Sequence, residues 1–204
     1  PFRTPHHTAS TTGLIGGGRI PRPGEISLAH QGVLFMDEMP EFSKDALEAL
    51  RQPLEDGVVT ITRTNATFTY PARLMLVGAL NPCPCGYYGD PTRECSCTPH
   101  QVQRYMARLS GPLLDRIDIH VETPRLSYDE ISFLGKGDTS AEIKKRVERT
   151  RAMQRERFTG MGSNKSPKHS GANQVFCNAH MGAREVRFYC KLNKGTGALL
   201  KDAF

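Results

Sequence analysis

The stretch Val33-Leu34-Phe35-Met36-Asp37-Glu38 decides the fold class, because four consecutive apolar residues end in two carboxylates. The apolar run is too short for a helix and is typical of a strand buried on both faces of a parallel sheet. Open α/β sheets bind ligands at the carboxyl ends of such strands. In a nucleotide hydrolase the first carboxylate helps to hold Mg²⁺ and the second polarises the attacking water. Asp37 and Glu38 suit these roles, although a solvated strand end would carry the same residue types.

Alternating elements on both sides of this stretch predict an α/β layered core. A second buried strand is expected over 74–80, and the alternating residues 117–121 predict a third. Residues 58–62 and 67–70 are rich in β-branched and aromatic side chains and predict a hairpin. Helices are expected over 43–54, with an end or kink at Pro53, and near 100–109. The Gly- and Pro-rich residues 1–31 predict an irregular segment that ends in a short helix, 25–30.

Two polar residues stand at the ends of the predicted strands. Asn81 follows the second strand, where a parallel neighbour would hold it beside the carboxylates and let it orient the same water. An Asn-Pro pair is also a common turn, so this residue has a purely structural alternative. Arg116 stands at the base of the third strand and would be a surface ion-pair partner in a monomer, exposed or paired with Asp115 or Asp118. In a ring it could reach the γ-phosphate of a neighbouring subunit.

Four cysteines form two C-x-C pairs, Cys83 with Cys85 and Cys95 with Cys97. The nine residues between the pairs are rich in turn formers, so the loop could bring four thiolates around one tetrahedral Zn²⁺, with His100 as a substitute ligand. The alternative is four reduced thiols in a surface loop. The other cysteines, 177 and 190, are expected to pack as small hydrophobes. The histidines at 6, 7 and 30 lack convincing ligand spacing, and we expect them to be structural.

The distribution of charge divides the chain near residue 123. Residues 1–123 carry 11 basic and 13 acidic side chains, whereas residues 124–204 carry 16 and 8, within an overall net charge of +6. The basic part favours an anionic partner, although a solvated helix face would look similar. It is expected to contain a helix over 139–158, a flexible linker over 160–174, and two short helices near 183–190 and 197–204. We find no internal repeat.

The composition excludes several classes of protein. With 38% hydrophobic residues, no apolar run approaches the roughly 18 to 20 residues that span a bilayer. No segment resembles a secretory signal, and clustered cysteines suit metal binding in a reducing compartment better than secreted disulfides. We therefore expect a cytoplasmic protein.

Several long ungapped stretches carry a family resemblance. They are Pro1-Phe2-Arg3-Thr4-Pro5-His6-His7, Pro23-Gly24-Glu25-Ile26-Ser27-Leu28-Ala29-His30, residues 33–42, Asn81-Pro82-Cys83-Pro84-Cys85-Gly86 and residues 110–119. Together they resemble the magnesium-chelatase-like AAA+ ATPases, in particular the ComM/YifB branch. The resemblance implies a partial P-loop AAA+ core over 1–123 with a three-stranded parallel sheet and a β-hairpin insert. It also implies that 124–204 is a basic linker and a partial helical lid.

The resemblance also implies roles for individual residues. Asp37 and Glu38 match the Walker B pair that acts on Mg²⁺ and ATP, Asn81 matches sensor 1, and Arg116 matches the arginine finger. Residues 13–24 and 58–70 resemble two inserts that face the central pore of a ring. Three arginines in them become candidate DNA contacts: Arg19, Arg22 and Arg63. The implied protein is a homo-hexameric motor that drives DNA branch migration in recombination and natural transformation.

One motif of the family is missing from the sequence. No G-x-x-x-x-G-K-[ST] occurs, so the backbone cradle for phosphates is absent. We expect the chain to be an internal fragment, with the P-loop just before its first residue and the sensor 2 arginine just after its last. By itself it should not hydrolyse ATP measurably. Two other functions stay open: the ATPase subunit of a true magnesium chelatase, and a zinc-stabilised nucleic-acid-binding module without catalysis.

Overall fold

The computed structural model describes residues 1–63, 66–123, 125–126, 132, 137–159 and 175–203. The chain divides into two compact units, Pro1–Arg125 and Leu126–Phe204. The strands, in chain order, are β1 (Phe2–Arg3), β2 (Gly16–Gly17), β3 (Arg22–Pro23), β4 (Val33–Met36), β5 (Val58–Arg63), β6 (Ala66–Pro71) and β7 (Met75–Gly78). The helices of the first unit are α1 (Thr11–Ile15), α2 (Glu25–Leu28), α3 (Lys44–Glu48), α4 (Arg51–Asp56), α5 (Pro99–Met106) and α6 (Gly111–Leu114).

A parallel sheet in the order β1-β4-β7 forms the centre of the first unit. In its register Arg3 lies opposite Leu34, and Met36 lies opposite Gly78. Leu34 and Met36 are fully buried, as the apolar run at 33–36 predicts. The α/β class and the three-stranded parallel sheet are therefore confirmed.

The third strand, however, is not the one expected from the sequence. Residues 117–121 form no strand in the structure, and Ile119 and Val121 are 78% and 75% exposed. A strand needs a hydrogen-bonding neighbour, and none of the described residues pairs with this segment. The third strand is instead β1, at the start of the Gly- and Pro-rich segment that was expected to be irregular. Two residues are too few to show the alternating pattern that predicts a strand.

The helical prediction around Pro53 is confirmed with a break. α3 ends at Glu48 and α4 begins at Arg51. Pro53 lacks an N–H, and its ring would clash with the carbonyl of Ala49, four residues earlier. The two short helices therefore replace one continuous helix, while Leu47 and Leu50 still reach the core.

The predicted hairpin is also present. β5 and β6 pair antiparallel from Val58 opposite Pro71 to Arg63 opposite Ala66. Its inner residues Val59 and Ile61 are buried. The core of the first unit lies under the sheet and this hairpin, and its fully buried members include Leu14, Ile26, Leu34, Met36 and Leu113.

The second unit is helical. α7 (Ser140–Thr159), α8 (Ala183–Tyr189) and α9 (Lys194–Ala203) follow the predictions within a few residues. The expected capping box is present, since Thr139 Oγ1 accepts from the Glu142 N–H while a Glu142 oxygen accepts from the Thr139 N–H. The predicted linker, 160–174, lies outside the described residues. Among the described residues, no helix combines the length and the apolar character that crossing a membrane requires.

Candidate functional site

The two carboxylates of the apolar stretch stand where β4 ends. Asp37 and Glu38 are both exposed, and Glu38 has a left-handed backbone with φ 49°. The Glu38 N–H donates to Asp37 Oδ1 at 2.9 Å. This turn directs the chain into the short 3-10 helix Met39–Glu41. The turn uses Oδ1 of Asp37, and an exposed carboxylate is a ligand type that suits the metal-holding role expected of this residue.

Asn81 follows the neighbouring strand at the same edge of the sheet. The ladder between β4 and β7 continues past Gly78, because Ala79 N–H donates to Met36 O and Met39 N–H donates to Ala79 O, both at 2.9 Å. The chain segments that carry Asp37, Glu38 and Asn81 therefore leave adjacent parallel strands side by side.

His7, which was expected to be structural, contacts the second carboxylate. His7 Nδ1 lies 3.2 Å from Glu38 Oε2, and the His6 and His7 rings pack with centroids 4.1 Å apart. The segment that follows β1 carries both histidines along the same sheet edge. This contact depends on the register between β1 and β4. The sequence could not indicate it, because no sequence pattern predicted β1 as a strand.

Arg116 pairs with a carboxylate of α4. Its Nη2 donates to Glu55 Oε2 at 2.6 Å and its Nη1 to Pro112 O at 3.1 Å, with the side chain 31% exposed. The hydrogen bond with Arg116 lowers the pKa of Glu55, and the same contact raises the pKa of Arg116. Arg116 is therefore an ion-pair partner, as expected for a monomer, but the expectation that Asp115 or Asp118 supplies the carboxylate is wrong. α4 supplies the partner because the chain folds back 61 residues to bring Glu55 there.

The four clustered cysteines converge in space. Their sulfur atoms all lie within 4.8 Å of one another, and Sγ of Cys83 is 3.4 Å from that of Cys85 and 3.6 Å from that of Cys95. Tetrahedral zinc with Zn–S bonds of about 2.3 Å requires sulfurs about 3.8 Å apart. The donor set and the spacing therefore fit Zn²⁺. His100 is not a member of the group.

The close spacing of these thiols accompanies pKa values that are shifted in opposite directions. A backbone hydrogen bond from Tyr87, aided by neighbouring side chains, lowers the pKa of Cys85 to about 5 despite its desolvation. The Cys97 backbone acts in the same direction on Cys95, but desolvation and the neighbouring Cys85 and Cys83 raise the pKa of Cys95 to about 12. One thiolate thus opposes the ionisation of the next.

Two adjacent hairpins carry the three candidate DNA-contacting arginines. Arg22 lies in β3 opposite Gly17, and a Cβ on Gly17 would lie 3.0 Å from Arg63 Nη2. Tyr70 of β6 donates its hydroxyl to Pro21 O at 3.1 Å, which ties the hairpins together. Arg19 stands in the turn between β2 and β3. All three side chains belong to exposed residues.

Two family models match this chain, and the boundary between them lies near the boundary between the two compact units. The family model described as magnesium chelatase, subunit ChlI, matches residues 1–131, and the model of the ChlI C-terminal part matches residues 137–204. The chain belongs to the magnesium chelatase ChlI family. The motifs that carry the resemblance all lie within the first match, so the α/β unit corresponds to a partial AAA+ core.

Individual relatives of this ChlI-family chain divide into two groups. Competence protein ComM of Haemophilus influenzae is 45% identical over 205 residues, which cover 100% of this chain and 36% of that protein. Protein YifB of Escherichia coli is 47% identical over 194 residues, 94% of this chain and 35% of that protein. The magnesium-chelatase 67 kDa subunit of Chlorobaculum parvum is 32% identical over 69 residues, 34% of this chain and 11% of that protein. The chain thus spans about a third of the length of its ComM and YifB relatives.

Proposed function

We propose that this chain is part of a Mg²⁺-dependent AAA+ ATPase that works as a homo-hexameric motor on DNA in the cytoplasm. The observation that carries the proposal is the shared sheet edge, where Asp37 and Glu38 leave β4 beside the segment that leads from β7 to Asn81. Similarity to a competence protein, over all of this chain and 36% of that relative, supports a role in DNA branch migration during recombination and transformation.

In this proposal each residue at the edge has one task. Mg²⁺ with ATP supplies charge neutralisation at the phosphates when bound. Asp37 holds the metal through its free carboxylate oxygen, Glu38 accepts a proton from the attacking water, and Asn81 orients that water. Arg116 acts on the nucleotide of a neighbouring subunit, for which it exchanges its contact with Glu55.

The test uses the full-length protein with ATP, Mg²⁺ and branched DNA. We expect ATP hydrolysis that requires Mg²⁺ and is stimulated by DNA, and a hexameric mass in sedimentation with nucleotide. Hydrolysis that ignores DNA would favour a magnesium-chelatase ATPase subunit. DNA binding that needs no nucleotide, without any hydrolysis, would favour a zinc-stabilised binding module.

DNA contact is assigned in this proposal to the paired hairpins that carry Arg19, Arg22 and Arg63. Each lost phosphate contact lowers the slope of log affinity against log salt by about 0.9, so replacing all three with Ala should lower it by about 2 to 3. Fluorescence anisotropy over a salt series measures this slope. The comparison variant replaces three basic residues of α7 with Ala: Lys144, Arg149 and Arg151. A larger loss from the α7 variant would move the DNA contact to the second unit.

Zinc is the second cofactor of this proposal, held by the four clustered cysteines. Protein prepared without chelator should contain close to one zinc per chain by elemental analysis. Cys95→Ser removes one of four ligands and should release the metal, whereas Cys177→Ser and Cys190→Ser should retain it. Metal-free protein would leave the cluster as four reduced thiols, and retention of zinc by the Cys95 variant would remove Cys95 from the ligand set.

A further inference from the structure

We infer that the cysteine cluster positions the sheet edge for ATP hydrolysis when it holds a metal ion, and that Arg108 is the positioning residue through which it acts on the β4 side. The inference rests on the proposed function, since it needs the sheet edge to hydrolyse ATP. The cluster lies in the loop between β7 and α5, so each of its ends leads to an element that borders the edge. Its members are Cys83, Cys85, Cys95 and Cys97.

The first end of the cluster lies two residues after Asn81. Backbone hydrogen bonds hold the chain as far as Ala79. Beyond that point Asn81 is exposed, and its side chain has no hydrogen bond to any described residue. Cys83 is fully buried and is the next fixed point along the chain. Pro82 lies between them and restricts Asn81 to extended conformations. Restraining Cys83 therefore also restrains Asn81.

The second end of the cluster leads directly into α5. Thr98 follows Cys97 and caps this helix, since its Oγ1 accepts from the Gln101 N–H at 3.3 Å. Gln101 Oε1 accepts in return from the Thr98 N–H at 2.8 Å. This capping box satisfies N–H groups that the first turn leaves unpaired. The helix therefore begins at a defined point beside the cluster.

Arg108, just past the end of α5, reaches the turn that follows Glu38. Its Nη1 donates to Pro40 O and to Glu41 Oε2, both at 2.8 Å. The ion pair with Glu41 is half-exposed and contributes little, whereas Pro40 is buried. Within the same turn the Glu41 N–H donates to Glu38 O at 2.7 Å. A movement of Arg108 therefore shifts the backbone that carries Glu38.

Tyr105 of α5 lies near both the cluster and this turn, and it is only 6% exposed. Burial raises the pKa of Tyr105. Nearby charges contribute smaller shifts to this pKa, upward from Glu41, Glu38 and Cys83 and downward from Arg108. Groups from the turn and from the cluster thus act on one buried ring. Displacements on either side are transmitted through this packed region, because close-packed interiors transmit strain.

Metal binding changes how firmly both borders of the edge are held. The thiols by themselves hold the loop weakly, since their contacts of 3.4 to 3.6 Å are those of weak S–H hydrogen bonds. Coordination adds free energy that is available only when the loop is folded. Loss of the metal should therefore loosen Asn81 and α5 together. A displacement of about 1 Å in a catalytic site costs about a hundredfold in rate, so we expect kcat to fall about 10- to 100-fold.

The first test removes and restores the metal in the full-length protein. Protein loaded with Zn²⁺ is treated under reducing conditions with a chelator that binds Zn²⁺ and spares Mg²⁺, and Zn²⁺ is then added back. We expect kcat to fall and recover, while KM for ATP stays within about twofold because Asp37 is not attached to the cluster. Hydrogen exchange of the α5 amides should rise and return in step, with the β5–β6 hairpin as the unchanged reference. Failure to take up Zn²⁺, unchanged kcat, or α5 exchange that ignores the metal would overturn the inference.

The second test replaces Arg108 and leaves all four cysteines in place. Arg108→Gln should retain zinc and lower kcat about three- to tenfold with KM unchanged, as expected for one charge-assisted hydrogen bond. Arg108→Lys keeps a cationic donor and should return kcat to within about twofold of wild type. Arg104→Gln is the matched control on the same helix, because Arg104 is exposed and has no partner among the described residues. This control should behave as wild type.

Combining the two tests shows whether the cluster acts through Arg108. Removing zinc from Arg108→Gln should lower kcat by a smaller factor than in wild type, because one of the two connections to the edge is already lost. Equal factors in the two proteins would show that Arg108 and the cluster act independently. That result would overturn the assignment of Arg108.

Glu38→Gln separates a failure of this inference from a failure of the proposed function. Normal hydrolysis by this variant would overturn the proposed function. An inactive Glu38→Gln, together with a wild-type kcat that ignores zinc, would overturn the inference alone. Circular dichroism shows whether each protein is folded. Should Arg108→Gln misfold, the zinc cycle decides, because it uses the wild-type chain. Should Zn²⁺ fail to restore the fold, the two Arg108 variants decide, with unchanged kcat in Arg108→Gln as the overturning result.

Discussion

Replacing Glu38 with Gln should leave ATP binding intact and slow ATP hydrolysis at least about a hundredfold. The amide has the shape of the carboxylate but cannot accept the proton of the attacking water. Asp37, which the proposal assigns to the metal, is unchanged. In the full-length protein, binding of a fluorescent ATP analogue and steady-state phosphate release measure the two effects separately.

Two comparison variants make the Glu38 result specific. Glu41 stands three residues further on and pairs with Arg108 at 2.8 Å, so Glu41→Gln removes a nearby carboxylate without touching the sheet edge. It should retain hydrolysis. Asp37→Asn should weaken both Mg²⁺-dependent binding and hydrolysis. Normal turnover by the Glu38 variant would remove this residue from the mechanism, and equal loss of binding and hydrolysis would make it a metal ligand instead.

The second large effect is expected when two inactive variants are mixed. If Arg116 acts on a neighbour's nucleotide, a site needs Glu38 from one subunit and Arg116 from the next. Rings that combine Arg116→Ala with Glu38→Gln subunits then regain intact sites. With random mixing at equal amounts, about a quarter of the sites are complete. ATP hydrolysis should therefore return in the mixture although each variant alone is inactive.

The control for this experiment is an arginine with a similar environment. Arg51 on α4 pairs with Glu48 at 2.7 Å and is 39% exposed, close to the 31% of Arg116. Arg51→Ala loses a comparable ion pair and should be active by itself. A mixture of the Arg116 and Glu38 variants that stays inactive, while subunit exchange is shown by labelled protein, would assign Arg116 to its own subunit's site.

Local pattern was sufficient for most of the fold. The apolar run at 33–36 predicted β4, the β-branched residues around 58–70 predicted the hairpin, and Pro53 predicted the interruption between α3 and α4. These elements follow from side-chain burial, β-propensity and the missing proline N–H, all of which act over a few residues. The Thr139–Glu142 capping box was predictable for the same reason.

The predicted third strand at 117–121 shows where local pattern was insufficient. Its alternation is real, but Ile119 and Val121 are exposed because alternation does not supply a pairing partner. β1 is the reverse case. Its two residues show no alternating pattern, yet they form a strand because they pair with β4. Whether a segment becomes a strand of a parallel sheet depends on pairing with a segment distant in the chain. Sequence periodicity carries no information about that pairing.

The site divides in the same way. The sequence by itself determined which residue types were available at the sheet edge and in the cysteine loop, because Asp37, Glu38, Asn81 and the two C-x-C pairs stand beside recognisable elements. Only the tertiary structure decided their partners: Glu55 for Arg116, His7 for Glu38, and sulfurs within 4.8 Å for the cysteines. The physical reason is the separation along the chain over which each kind of interaction acts. Burial and propensity act on neighbours in the chain, whereas ion pairs and ligand clusters depend on distances of a few ångströms between segments as many as 61 residues apart.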